Sequence, residues 1–83
     1  MPMKEILTYR DENGFHCQDE KAAIERLGRI EALYKRTCEE QEEISAQLSD
    51  LRSAGKAKSV KFNQLLAKKL TNVSIIAALE SCF

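Results

Sequence analysis

The 83 residues carry thirteen basic and thirteen acidic side chains, a formal charge of zero, and are 43% hydrophobic and 6% aromatic. That length allows one domain at most, with a thin core, because a chain near this size buries only about 60% of its unfolded surface. The charge balance excludes a surface tuned as a whole to nucleic acid or anionic lipid, and the longest uncharged apolar run, Val73 to Leu79, falls far short of the roughly 20 residues that span a bilayer.

The N-terminal residues Met-Pro-Met-Lys-Glu-Ile-Leu lack the apolar segment and small-residue cleavage site of a secretory signal, so a soluble, cytoplasmic chain is expected. Cys17, Cys38 and Cys82 are odd in number and share no short spacing, which fits reduced thiols better than a disulfide framework. His16 beside Cys17 invites a metal site, but zinc needs about four converging ligands and usually paired spacings. No metal or cofactor is expected.

Residues 1–18 read as a small β-hairpin or an extended arm. Ile6 to Tyr9 favour a strand, Asn13-Gly14 matches the two-residue type I′ turn that needs positive φ twice, and Phe15, His16 and Cys17 could form the return. Such a hairpin is unstable alone, so Ile6, Leu7, Tyr9 and Phe15 are expected to pack on the helices.

Asp19 suits an N-cap, Glu20 complements the positive end of the helix dipole, and Ala22-Ala23 continue with high helix propensity. The first helix is expected over about 19–54, ending where Gly55 takes a left-handed cap. From Leu27 onward its gaps alternate three and four. Leu27, Tyr34, Gln41 and Leu48 fill one heptad position, and Ile30, Thr37, Ile44 and Leu51 fill the other. Opposite charges at i,i+4, such as Glu25 with Arg29 and Lys35 with Glu39, make the outer face a solvated one. Gly28 is either a point of close helix approach or a cost of about 1 kcal/mol relative to Ala.

Ser59 is a second N-cap, and a helix over about 60–81 follows, with Phe62, Leu65, Leu66, Leu70, Val73, Ile76, Ala77 and Phe83 on one side. Thr71-Asn72-Val73 is weaker for helix, and Val73, Ile75 and Ile76 also suit a strand. The short loop turns the second helix back antiparallel, setting Leu51 near Phe62, Leu48 near Leu65 and Leu66, Ile44 near Leu70, and Gln41 near Val73. The fold class is therefore mainly α, an α-helical hairpin over 19–83 behind the N-terminal segment.

Two mismatches call for a partner. Helix 1 exceeds helix 2 by near 20 Å at 1.5 Å per residue, leaving Ala23, Ile24 and Leu27 to be covered by the N-terminal segment or another subunit. The apolar side of helix 2 also spans about half its circumference, while helix 1 offers a narrow seam. Both excesses vanish in a homodimeric four-helix bundle of coiled-coil character, each helix 2 facing the centre, and a separate protein partner would meet the same need.

Residues 19–54 carry nine acidic and six basic side chains, whereas residues 56–83 carry five lysines and one Glu. The asymmetry fits internal complementarity between the helices. Alternatively, Lys56, Lys58, Lys61, Lys68 and Lys69 form a phosphate-contacting stripe for weak, salt-sensitive nucleic-acid binding, without the arginines or interleaved aromatics that read bases. Catalysis is not expected, because no nucleophile-base pair, glycine-rich phosphate loop or metal spacing occurs, and the run Glu39-Glu40-Gln41-Glu42-Glu43 fans around a helix into water. The expected function is interaction: association with itself or docking on a larger partner through the apolar face of helix 2.

Overall fold

The computed structural model describes residues 3–83. In chain order it holds strands β1 (Thr8–Asp11) and β2 (Gly14–Cys17) and helices α1 (Glu20–Ser53) and α2 (Val60–Glu80). The fold is mainly α, with two helices in antiparallel contact and a small two-strand hairpin before them. Two compact units divide it, one up to Ala32 and one Leu33–Phe83, and α1 contributes to both.

In the first unit β1 and β2 pair antiparallel in the register Tyr9 with His16 and Arg10 with Phe15. The pairs interact across the ladder, Tyr9 stacking on His16 at 5.5 Å and the Arg10 guanidinium lying 5.5 Å from the Phe15 ring centre. The connection differs from the expected Asn13-Gly14 type I′ turn. Asp11 pairs with Gly14, so the corner is Glu12-Asn13 and positive φ falls on Gly14 alone, at 111°. The Asp11 carboxylate explains the shift: it accepts the Asn13 N–H at 2.8 Å, an Asx turn that holds the corner without a left-handed residue inside it.

Packing of this hairpin is also less extensive than expected. Leu7 is half-buried, but Ile6, Tyr9 and Phe15 are exposed. Tyr9 and Phe15 are engaged by their cross-strand neighbours rather than by helix, since adjacent strand residues point to opposite sides and a four-residue strand has too few to cover anything. The Arg26 guanidinium ties the preceding segment to α1 by donating to the Glu5 carbonyl at 2.6 Å.

Helix α1 begins at the expected cap, with the Asp19 carboxylate accepting from the Ala22 N–H at 3.0 Å. Of the expected i,i+4 pairs, Glu25 and Arg29 form an ion pair. A methyl group added at Gly28 would meet nothing within 4 Å, so no close approach explains this glycine. It stands as a propensity cost.

In the second unit α1 ends in a Schellman motif: the Lys56 N–H reaches the Leu51 carbonyl, the Gly55 N–H reaches that of Arg52, and Gly55 has φ 74°. Ser59 restarts the chain as a helix by accepting the Phe62 N–H at 3.1 Å while its hydroxyl donates to the Lys56 carbonyl at 2.8 Å. The core lies next to this turn, where Ile44, Leu48 and Phe62 are buried and Leu51 and Leu65 pack against them.

Candidate functional site

The α1 side of the helix contact is the expected seam. Tyr34, Thr37, Gln41, Ile44, Leu48 and Leu51 are all buried or half-buried at alternating gaps of three and four. Leu27 and Ile30, which belong to the first unit, are exposed by 51% and 39%.

The α2 side is rotated from expectation. Its inward row is Phe62, Leu65, Lys69, Asn72, Ile76 and Leu79, each buried or half-buried, whereas Leu66, Leu70 and Val73, expected against Leu48, Ile44 and Gln41, are exposed by 38%, 61% and 50%. Polar contacts hold this rotation. The Gln41 amide donates to the Lys69 carbonyl at 3.0 Å, the Asn72 amide donates to the Glu40 carboxylate at 2.8 Å, and the Tyr34 hydroxyl donates to Glu80 at 3.0 Å. At the far end Tyr34 meets Phe83 edge to face, ring centres 5.0 Å apart. Thr37, 6% exposed, satisfies its hydroxyl on the Leu33 carbonyl of its own helix. Gln41 keeps one buried oxygen without a protein hydrogen-bond donor.

These contacts set two titrations. The Asn72 hydrogen bond, aided by Lys68 at 3.5 Å, holds the Glu40 carboxyl below its usual range. Donation to Glu80, reinforced by desolvation, pushes the Tyr34 phenol up to about 12.

What the rotation leaves outside is a second heptad-spaced row, Leu66, Leu70, Val73 and Ala77, roughly 100° around α2 from the inward row. Beyond it the helix continues with the exposed small residues Ala67, Thr71, Ser74 and Ala78. Projected down the axis, half of α2 carries no charge, because Lys61, Lys68, Lys69 and Glu80 all fall on the other half. Apolar periodicity alone could not reveal this face, since α2 has two apolar rows. The signal that finds it is the placement of the four charges.

The five lysines do not form one stripe. Lys61 and Lys68 share a side of α2, Lys68 facing Glu40, while Lys69 is half-buried on the inward row and Lys56 and Lys58 lie in the turn. In the first unit an open groove of about 470 Å³ is lined mainly by Ile6, Leu7, Ala23, Ile24, Leu27 and Ile30. Cys17, at its edge, is unpaired, as are Cys38 and Cys82. Among the described residues no cluster of three His, Cys, Asp or Glu could hold a metal ion, and no helix is long and apolar enough to cross a membrane. Compared with protein-family models, curated proteins and solved structures, the chain matches none.

Proposed function

We propose that this chain is a non-catalytic interaction module that works by helix association, its contact surface being the charge-free face of α2. The observation that carries this reading is the coincidence of an exposed apolar row with a helix half that has no charged residue. Solvated helices place charges on their outer surface, as α1 does with Lys35, Arg36, Glu39, Glu42, Glu43 and Asp50, all exposed. A row of Leu66, Leu70, Val73 and Ala77 at coiled-coil spacing suits another helix, either from a like chain or from a larger protein.

The test replaces Leu70 and Val73 together by Glu and compares absolute mass, by light scattering coupled to size exclusion in reducing buffer, with that of the unaltered chain across a dilution series. Association above the 9.4 kDa of one chain should disappear while far-ultraviolet circular dichroism keeps its helical signal. A mass above one chain that survives both substitutions would assign association to another surface and refute the role of α2.

A further inference from the structure

We infer that the turn end of the helical hairpin is a second contact surface, fitted to the phosphate backbone of a double-stranded nucleic acid whatever its sequence. From Leu51 to Leu79 the chain has six cationic side chains and no carboxylate, in a protein whose charges cancel as a whole. Two of the six belong to the middle of the helix pair: Lys68 lies 3.5 Å from Glu40, and Lys69 is half-buried on the inward row. The other four, Arg52, Lys56, Lys58 and Lys61, collect at the turn, all exposed and none in an ion pair among the described residues. Three of the expected lysines are thus gathered at one end rather than strung along α2, and α1 adds an arginine to them. The surface is separate from the outward row of α2 and stands whether or not that row binds a helix.

The four cations surround the turn. Arg52 follows Tyr34 and Gln41 along one edge of the helix pair, its guanidinium 5.6 Å from the Phe62 ring centre. Lys61 lies on the opposite edge with Lys68, and Lys56 and Lys58 occupy the turn between them. The one carboxylate close in sequence, Asp50, is about 160° around α1 from Arg52. Residues 44–67 therefore hold four cations against one acidic side chain, whereas residues 33–43 and 68–83, at the other end of the same unit, hold four against five. Helix dipoles do not make this contrast: α1 ends where α2 begins, so their partial charges offset. Beneath the cations the Schellman motif, the Ser59 cap and the buried Ile44, Leu48 and Phe62 fix the backbone, so a ligand meets a turn that is already ordered.

The neighbours of these cations select the partner. Binding to a bilayer surface needs a broad apolar face beside the charges, and among residues 52–64 the exposed large hydrophobics are Val60 alone. Holding single strands needs exposed rings on which bases stack, and the one ring here, Phe62, is buried. What accompanies the cations is Ser53, Asn63 and Gln64, exposed polar side chains of the kind that bond phosphate oxygens. A duplex presents the densest row of phosphates, one charge per about 1.7 Å of axis. Across two helices the turn end measures about 20 Å, the length of about six base pairs at about 3.4 Å each.

The test titrates the full chain, in reducing buffer, into a short labelled DNA duplex of mixed sequence and follows fluorescence anisotropy. Four phosphate contacts predict a fall in affinity of about 100-fold between about 50 and about 200 mM salt. Lys56→Gln combined with Lys58→Gln should weaken binding at the lower salt by about tenfold or more and reduce the salt slope by about two. Lys35→Gln combined with Arg36→Gln makes an equal change of charge more than a screening length away and should leave affinity within about twofold. Circular dichroism should show the same helicity in both variants. A duplex left unbound at the lower salt overturns the inference. So does an equal loss in both pairs of variants, which would assign binding to overall charge. Tighter binding to a single strand of the same length, or to vesicles of phosphatidylserine and phosphatidylcholine, would overturn the choice of a duplex.

Discussion

At the middle of α2 its two rows reverse the usual relation between polarity and burial, Lys69 and Asn72 lying inward and Leu70 and Val73 outward. The inward row holds Lys69 and Asn72 among its apolar members, while the outward row of Leu66, Leu70, Val73 and Ala77 has no polar side chain at all. Apolar area alone favours the inward row only at its ends, through Phe62 and Leu65 at one and Ile76 and Leu79 at the other, while at the middle it would favour Leu70 and Val73. Both positions make a contact across the pair: the Asn72 side chain is bound to Glu40, and Lys69 offers its backbone carbonyl to Gln41. The helix pair is thus held in rotation by directional contacts at its middle as well as by apolar burial at its ends, and Leu66, Leu70 and Val73 are left exposed.

Substitutions can break this contrast at graded cost. The largest effect is expected in the core by the turn, where Leu48→Ala should destabilise the helix pair by about 2 to 4 kcal/mol in chemical denaturation. Ser59→Ala removes the cap that anchors the turn carrying Phe62 and should cost about 1 kcal/mol, read as a lower melting midpoint with frayed α2 amides in hydrogen exchange.

A smaller effect is electrostatic. Since the folded Glu40 carboxyl titrates below its unfolded value, its contribution is complete above the ordinary carboxylate range and fades as pH falls through the folded value. Glu40→Gln should flatten that acid loss. Tyr34 has the opposite sign: its raised phenol stabilises fully below the unfolded value near 10 and ceases to do so as pH rises towards about 12. Tyr34→Phe should remove this alkaline dependence. Smallest of all, Leu70→Ser should change the stability of a single copy by no more than about 0.5 kcal/mol at high dilution, because its side chain already faces water.

Much of the fold was legible because its signals are local. Asp19, Ser59 and Gly55 mark helix boundaries through their own backbone chemistry, and the 3-4 alternation along α1 names the seam from Tyr34 to Leu51. The rotation of α2 was not legible, because two apolar rows share one helix and the choice between them depends on contacts with residues about thirty positions away, as in Gln41 with Lys69 and Asn72 with Glu40. The hairpin corner was misplaced for a similar reason: Asn13-Gly14 is the stronger turn dipeptide, yet the Asp11 carboxylate captured the Asn13 N–H and moved the turn back by one residue.

The numbering of the two rows of α2 has a consequence for how such a chain can change. Outward positions 66, 70, 73 and 77 each lie one place beyond inward positions 65, 69, 72 and 76. Loss of a single residue from the first turn of α2, with the Ser59 cap kept, would advance every later side chain by one helical step and carry Leu66, Leu70, Val73 and Ala77 into the inward slots. The same step would set Asn63 where Phe62 is now buried and Glu80 where Leu79 now packs, so the gain of Leu66, Leu70 and Val73 inside would be offset by loss of the aromatic at the core and by a carboxylate at the far end. The outward stripe is thus kept outside by the two ends of α2, Phe62 and Leu79, as much as by the polar contacts at its middle.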